Sequence, residues 1–478
     1  MKKKRNDEIR VKFYGNSALD VTGSAILISY KNHDYMLDFG MLQGCGGTLE
    51  QEYAMNLQYA NNLKIDNLKC ILVSHQNVDH IGLIPALVKR GFKGDIIGSY
   101  KSLEFSKKLL EDCAFINERN VESFAKKGRK MEHLYKIEDV TQSTYQMRAY
   151  DIGEIHQFDE YMSYQFVPTS HLTGSCQIVV YIKKDNGTVK KIWYSGDLGS
   201  ELGTEFGYFL DKTEIVRSSN LAICECTYFG DMKEYSKQDA IAEREDMKKE
   251  ILQTLHNHGK VVIPAFAMQR SQHMGLTIWK MFKDDKDFKY KVVFDSRLIN
   301  RINKVYSKIL TDEEKTLWEE FLSWENLKTI DTYKETIAVM ATREPMIVIS
   351  SSGMAQNGHV VEWLKSAINC SRDMVMVVGY SPKDDILDKL VRGDETVKWN
   401  GATYKVRCRV KKYNTFSSHL SAKGIIRYLK QHNTNQLVFH HGEKSAKANA
   451  VNITKEELTK IGKTTKVMAS YKNLEIIL

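Results

Sequence analysis

At 478 residues the chain is too long for one ordinary hydrophobic core and suits two large domains. Hydrophobic residues at 42% and charged residues at 27% fit a soluble globular protein, and no apolar run is long enough to cross a bilayer, so no membrane association is expected. A net charge of +9 mildly favours a polyanionic partner without requiring one. The basic start, MKKKRNDEIR, is followed by no apolar stretch and does not read as a secretory signal. Lys2, Lys3, Lys4 and Arg5 read as a solvated tail, with an arm touching nucleic acid as the alternative. Eight scattered cysteines (45, 70, 113, 176, 224, 226, 370 and 408) form no C-x-x-C pair and read as small core residues in a reducing, cytoplasmic compartment. Cys224 and Cys226 flank Glu225 and share one face of a strand, which leaves a zinc role as their alternative.

In chain order, VKFYG, SAILISY and YMLDFG predict short strands bounded by Gly, Asn and Asp. KCILVSH predicts a buried strand, HIGLIPALVKRG a helix ended by Gly91, and 101–145 a charged helical excursion. The strands YQFVPTSH, CQIVVYIKK and KKIWYSGD follow. LAICECTYFG, KVVIPAFA, KVVFDS, MIVISSSG and MVMVVGYS are nearly continuous apolar runs, separated by helical segments near 236–257, 270–283, 299–325 and 357–367. That alternation predicts a parallel sheet covered on both faces. From about 400 the chain returns to strands, ATYKVRCRVKKY and QLVFHHGE, with a helix between them. This tail is too short for its own core and is expected to complete the first domain. The expected organisation is therefore 1–208 and 400–478 as one α/β domain and 209–399 as a second, inserted α/β domain.

The chemistry gathers where apolar strands end. Asp38 ends YMLDFG, His75 ends KCILVSH, and Asp79 and His80 follow in the next turn. His171 ends YQFVPTSH, Asp197 ends KKIWYSGD, and His441 ends the apolar part of QLVFHHGE. Carboxyl ends of neighbouring strands share one rim, where α/β folds place their chemistry. Imidazoles and carboxylates converging there make a metal site of borderline hardness, suited to zinc, with manganese as the alternative. Any one of these residues alone would read as a solvated loop residue; the repetition carries the inference. His440 precedes His441 and faces the other side of its strand.

The run SHQNVDHIG resembles the H-x-H-x-D-H motif of the metallo-β-lactamase superfamily, and Asp38, PTSHLTGS and YSGDLGS resemble its other motifs in order. CECTYFG with Glu225, NTFSSHLSAKG with His419, and VFHHGE with His441 are similar to motifs of the β-CASP nucleases, as are IPAFAMQRSQ and VISSSGMAQNG. The nearest likeness is to the branch holding the cleavage-and-polyadenylation endonuclease subunit and its bacterial and archaeal relatives. The resemblance spans Gly15 to Glu443 and implies a metallo-β-lactamase αββα sandwich with an inserted β-CASP domain. It further implies a phosphodiesterase that cuts single-stranded RNA in a cleft between the two domains, using a metal-activated hydroxide. Two zinc ions are implied, one held by His75, position 77, His171 and Asp197, the other by Asp79, His80, Asp197 and His441. Asp38 would orient a ligand histidine through a hydrogen bond. His419 would be the general acid, held by Glu225. Ser350, Ser351, Ser352 and Gly353 lie between a strand and a helix and could cradle a phosphate, with a plain turn as the alternative. Arg270 could pair with a neighbouring phosphate or serve as a surface charge.

Two positions depart from the pattern. Asn77 stands where the second histidine of the motif belongs, and Gln269 stands where relatives often have Gly. An amide oxygen is a weak zinc ligand beside imidazole, so one retained metal, two metals, or an inactive site are the three outcomes. The competing readings are a DNA nuclease on the same fold and an impaired RNA-binding or scaffold subunit. A lactamase-type hydrolase of small molecules is more distant, because it needs no large inserted domain. No appended RNA-binding domain is visible after residue 443, so a homodimer or a protein partner could supply specificity.

Overall fold

The structure is a computed structural model that describes residues 7–15, 20–44, 47–379, 384–399 and 401–478. The basic tail and Cys45 lie outside the described residues. The chain divides into two units: Met1–Glu201, Leu210–Glu234 and Ser418–Leu478 form the first, and Leu202–Phe209 with Tyr235–Ser417 form the second.

The first unit holds two seven-stranded sheets. One runs, in spatial order, Glu475–Ile477, Arg10–Phe13, Ile26–Tyr30, His33–Leu37, Leu68–Leu72, Asp95–Ser99, Met147–Tyr150. The other runs Lys466–Ala469, Asn433–His440, Ser218–Glu225, Val189–Tyr194, Cys176–Lys183, Met162–Pro168, Ile155–Gln157. Strand alternation sets what faces inward: in Ile26–Tyr30 the residues Ile26, Ile28 and Tyr30 are buried and their neighbours half-buried. Those inner faces meet in one core, where Phe13, Ile28 and Leu72 of the first sheet pack with Phe166, Ile178 and Ile223 of the second. Full burial of such a side chain contributes about 1.5–3 kcal/mol. The outer face of the first sheet is covered by the helices Leu49–Asn62, Ile84–Lys89, Tyr100–Lys126 and Ile137–Gln146. Helices Ala422–Gln431 and Lys444–Thr459 cover the outer face of the second. The layers are helix, sheet, sheet, helix.

The second unit is built on a six-stranded, wholly parallel sheet in the order Leu327–Ile330, Lys291–Asp295, Met346–Ser350, Val261–Pro264, Met374–Val377, Arg409–Lys412. A parallel strand covered on both faces needs an unbroken apolar run, which is what MIVIS and MVMV supply. Thr396–Trp399 and Ala402–Lys405 add a two-stranded antiparallel ribbon.

The expected inserted segment, 209–399, is displaced at both ends. Ser218–Glu225 pairs in parallel with Val189–Tyr194 and with Asn433–His440, so it belongs to the first unit. Its continuous apolar run looks like the strands of the second unit because it, too, is a central parallel strand. At the other end Arg409–Lys412 pairs in parallel with Met374–Val377 and carries the second unit on to Ser417. The single helix expected over 80–91 is two: Val78–Ile81 and Ile84–Lys89, the latter with Pro85 in its first turn. Proline suits a helix start, since its missing N–H would have no partner there.

Candidate metal centre

Strand direction brings the site together within the first unit. Asp38 follows His33–Leu37, His75 follows Leu68–Leu72, and Asp79 and His80 sit on the single turn Val78–Ile81. His171 follows Met162–Pro168, Asp197 follows Val189–Tyr194, Glu225 ends Ser218–Glu225, and His441 follows Asn433–His440. All lie at the carboxyl ends of their strands.

Close main-chain approach makes the turn at 78–81 fit. A Cβ on Gly40 would fall 1.6 Å from the carbonyl oxygen of Asp79, so only glycine fits there. That carbonyl accepts from Ser24 N at 2.8 Å, and His80 O accepts from Phe39 N at 2.8 Å. Asp38 and His441 both stand in the left-handed region, with φ of 54° and 53°. Such conformations cost about 1–3 kcal/mol in a non-glycine residue. Asp38 offsets this with four bonds to its buried carboxylate. Oδ1 accepts from Ser74 N at 2.7 Å, and Oδ2 accepts from Ser74 Oγ at 2.6 Å, Tyr194 Oη at 2.9 Å and His80 Nδ1 at 2.7 Å.

Every histidine of the group is anchored at Nδ1 and turns Nε2 inward. His80 donates Nδ1–H to Asp38, and His171 donates Nδ1–H to Ser418 O at 3.2 Å. His441 Nδ1 meets Thr227 Oγ1 at 3.2 Å, and His75 Nδ1 meets Ser74 Oγ at 3.0 Å. The inward nitrogens surround Asp197. Its Oδ2 lies 3.4 Å from His75 Nε2 and 3.5 Å from His171 Nε2. Its Oδ1 lies 3.4 Å from His80 Nε2 and 3.7 Å from His441 Nε2. Asp79 Oδ2 stands 3.2 Å from His441 Nε2 and 3.8 Å from His80 Nε2.

Two observations fit this donor set to cations. His75 Nε2 and Asp197 Oδ1 are buried without a hydrogen-bond partner among the described residues. A buried unpaired polar atom costs about 1–3 kcal/mol, which ligation would remove. Second, burial lowers the pKa of His75 and, more strongly, of His171, so both keep a free lone pair at neutral pH. Burial opposes ionisation of Asp197 and Asp79, but the surrounding histidines outweigh it and hold both carboxyls below their ordinary values. His80 is pushed down by burial, yet Asp197, Asp79 and Asp38 together hold it well above its ordinary value. A divalent ion would take the place of that proton.

His419 stands at the edge of the group. Its Nδ1–H donates to Glu225 Oε1 at 3.2 Å, and its Nε2 lies 4.0 Å from Asp197 Oδ2. Glu225 is fixed in turn by Leu198 N at 2.8 Å and Thr227 N at 3.2 Å. Burial lowers the pKa of His419, but the charge and hydrogen bond of Glu225, with Asp197 behind it, bring it up to about 9. The ring therefore carries a proton at neutral pH, and the side chain is 19% exposed.

Asn77 is the N-cap of Val78–Ile81 but makes no side-chain cap bond. Its Nδ2 lies 3.4 Å from His171 Nε2. Cys224 and Cys226 are buried among apolar side chains and belong to none of the His and carboxylate groups able to hold an ion. His440 packs against Phe13 on the far side of its strand.

Arg270 and Ser350–Gly353 lie in the second unit, past the carboxyl ends of the adjacent strands Val261–Pro264 and Met346–Ser350. Ser350 Oγ donates to Asp295 O at 2.6 Å, Ser351 Oγ shares a 2.6 Å bond with Ser296 Oγ, and Ser352 Oγ donates to Asn357 O at 3.3 Å. A Cβ on Gly353 would lie 2.8 Å from Phe266 N, which explains the glycine. Arg270 is buried in the first turn of Arg270–Phe282. Gln269 occupies φ 65°, where glycine would be easier, and is held by donating Nε2–H to Tyr208 O at 3.0 Å and accepting from Tyr306 Oη at 2.6 Å.

Sequence reasoning missed Tyr194, Ser74, Thr227 and Ser418, the groups that aim the ligand rings. All four lie inside the runs SHQNVDHIG, YSGDLGS, CECTYFG and NTFSSHLSAKG, and that proximity is the only signal they give.

A helix–sheet–sheet–helix unit with this His and carboxylate rim, joined to a parallel α/β unit, defines a metallo-hydrolase of the metallo-β-lactamase fold. The Beta-Casp domain model matches residues 271–389, and the model of the Zn-dependent metallo-hydrolase RNA specificity domain matches 403–464. Together these matches support a place for the chain in the β-CASP group of metallo-β-lactamase-fold proteins. It is 24% identical over 433 residues to Ribonuclease TTHA0252 of Thermus thermophilus, covering 89% of this chain and 92% of that one. Integrator complex subunit 11 of Danio rerio is 23% identical over 434 residues, covering 89% of this chain and 67% of its own. Cleavage and polyadenylation specificity factor subunit 3-II of Arabidopsis thaliana is 24% identical, covering 92% of this chain and 68% of its own. A crystal structure of a protein of unknown function from Enterococcus faecalis V583 shares the fold, with a TM-score of 0.52 at 12% identity over 98% of this chain and all of that one. No helix among the described residues is long and apolar enough to cross a membrane.

Proposed function

We propose that this chain is a metal-dependent ribonuclease that cuts single-stranded RNA at the Asp197 centre. The observation that carries the reading is that the two carboxylate oxygens of Asp197 each face a separate pair of imidazole Nε2 atoms, 3.4–3.7 Å away, with a protonated His419 alongside. His75, His171 and Asp197 Oδ2 would hold one ion, and Asp79, His80, His441 and Asp197 Oδ1 another. Zinc suits these donors, with manganese as the second candidate. When bound, the metal supplies Lewis acidity toward the phosphate and lowers the pKa of the attacking water. The protein's own part is positional and acidic. Asp38, Thr227, Ser74 and Ser418 fix the imidazoles. His419 gives its Nε2 proton to the departing ribose oxygen, and Glu225 keeps that ring oriented and charged. Arg270 with Ser351, Ser352 and Gly353 is the candidate contact for neighbouring phosphates.

RNA is favoured over DNA because the matched relatives are named a ribonuclease and a polyadenylation factor subunit. Two of them are named subunits of a larger complex, which supports a protein partner as the source of sequence preference. Asn77 supports a second reading, an impaired subunit that holds RNA without cutting it.

The test is incubation of end-labelled single-stranded RNA, and of DNA of the same sequence, with this protein, Asn77→His and His419→Ala, each with zinc or manganese. Cleavage of RNA by the unaltered protein and not by His419→Ala supports the proposal. Cleavage by Asn77→His alone moves the chain to the second reading. DNA cleavage without RNA cleavage refutes the choice of substrate.

A further inference from the structure

We infer that the two halves of the centre are unequal: one divalent cation is held tightly by Asp79, His80, His441 and Asp197 Oδ1, and a second, exchangeable one by His75, His171 and Asp197 Oδ2, with Asn77 setting the difference. The inference rests on the metal-centre reading above and is independent of which polymer is cut.

The tight set offers four strong donors. Two are carboxylates, whose charges together match a divalent ion, and two are imidazoles with anchored rings. Asp79, His80 and His441 offer donor atoms that already lie within 4.8 Å of one another. The Asp38–His80 bond of 2.7 Å holds one ring, and Thr227 holds the other at 3.2 Å. Four such donors would satisfy a divalent ion more fully than three.

The exchangeable set offers three. It has two imidazoles and one carboxylate oxygen, and that carboxylate is shared with the tight set. Its fourth neighbour is an amide. Asn77 turns Nδ2 toward His171 Nε2 at 3.4 Å, so the amide N–H points at the lone pair an ion would use. Half a turn of the amide presents Oδ1 instead, a neutral oxygen that binds zinc less well than imidazole does. The side-chain bond for which asparagine is favoured at helix N-caps is absent here, and the amide of Asn77 meets His171 instead. An ion in this half sees one negative charge, shared, against two in the other half.

The experiment uses the full chain loaded with zinc, dialysed against metal-free buffer, and read by elemental analysis and by calorimetric zinc titration. The unaltered protein should retain one ion per chain. The second should bind at least about 10–100-fold more weakly, the loss seen when even an outer hydrogen-bond partner of a ligand is removed. Asn77→His should retain two. His171→Ala should retain one and lose the weak binding event, whereas His441→Ala should lose the retained ion. Retention of two ions, or of none, by the unaltered protein overturns the inference, as does loss of the retained ion in His171→Ala with its survival in His441→Ala. If Asn77→His does not fold, the titration of the unaltered protein with the His171→Ala and His441→Ala pair still decides. Metal counts do not read cleavage, so a chain with this partition that leaves RNA intact would sink the proposed function and leave the inference standing.

Discussion

Asp38 Oδ2 and His80 Nδ1 lie 2.7 Å apart, and neither side chain is reached by solvent. Because the same oxygen accepts from Ser74 and Tyr194, the carboxylate is pinned and the imidazole has one orientation. Asp38→Asn keeps the shape but sets an N–H against donors. Metal affinity should fall by about 10–100-fold, measured by competition with a chromogenic chelator. Unchanged affinity would mean the ring is oriented by something else.

His419 is expected to act on the reaction and not on the metals. His419→Ala should lower the single-turnover cleavage rate by about 10²–10⁴-fold while metal content and RNA affinity hold. Glu225→Gln should slow cleavage by a smaller factor, because the ring loses its charged partner but keeps a hydrogen-bond acceptor. A His419→Ala protein that cuts at the normal rate would remove the general acid from the mechanism.

Gly40→Ala should be disproportionately harmful for the addition of one methyl group. The new carbon would meet the Asp79 carbonyl, so either the turn carrying Asp79 and His80 moves or the strand before it does. A loss of about 1–3 kcal/mol in denaturant unfolding, together with loss of bound metal, is the expected outcome. Full stability with full metal content would contradict the close approach.

The strand ends are legible in the sequence because an apolar run closing on His or Asp needs no knowledge of the partner strand. The αββα layering, which the family resemblance implies, agrees with the structure. The groups that aim the rings are not legible. Tyr194 lies in one sheet and Asp38 in the other, and only sheet-on-sheet packing brings them together. The ends of the inserted unit are hidden for a related reason. Residues 218–225 and 409–412 are both parallel strands, and a parallel strand carries no mark of which sheet it joins.

His432 predicts a pH dependence of stability that is separate from the metal centre. It is buried, donates Nδ1–H to Val216 O at 2.5 Å, and meets Ser219 Oγ through Nε2 at 2.8 Å. Burial lowers its pKa to about 4, against an ordinary value of 6.5, and Lys191 and Lys463 add to the effect. The unfolded chain therefore binds the proton more readily than the folded one. Its contribution is complete above pH 6.5 and is lost as pH falls toward 4, on the order of 3 kcal/mol in all. His432→Gln should flatten the fall in unfolding midpoint across that window. An identical slope in the variant would show that His432 is not a source of it.

Gln269 holds its left-handed backbone through its amide. Gln269→Ala keeps the unfavourable φ and loses both side-chain bonds, so it should destabilise the chain by about 2 kcal/mol in thermal or denaturant unfolding. An unaltered midpoint would mean that neighbouring packing alone fixes the backbone.

The pairing of Ser218–Glu225 with Asn433–His440 also bears on how the chain is made. A ribosome releases the first of these strands long before the second, with the whole parallel sheet of the other unit synthesised in between. Until Asn433–His440 emerges, the nascent sheet ends in an open, apolar edge able to pair with a neighbouring chain. Fragments stopping short of residue 433 should therefore aggregate even though most of the αββα layers are already encoded. His441 arrives on that same late strand, so the centre cannot be complete before that edge is closed.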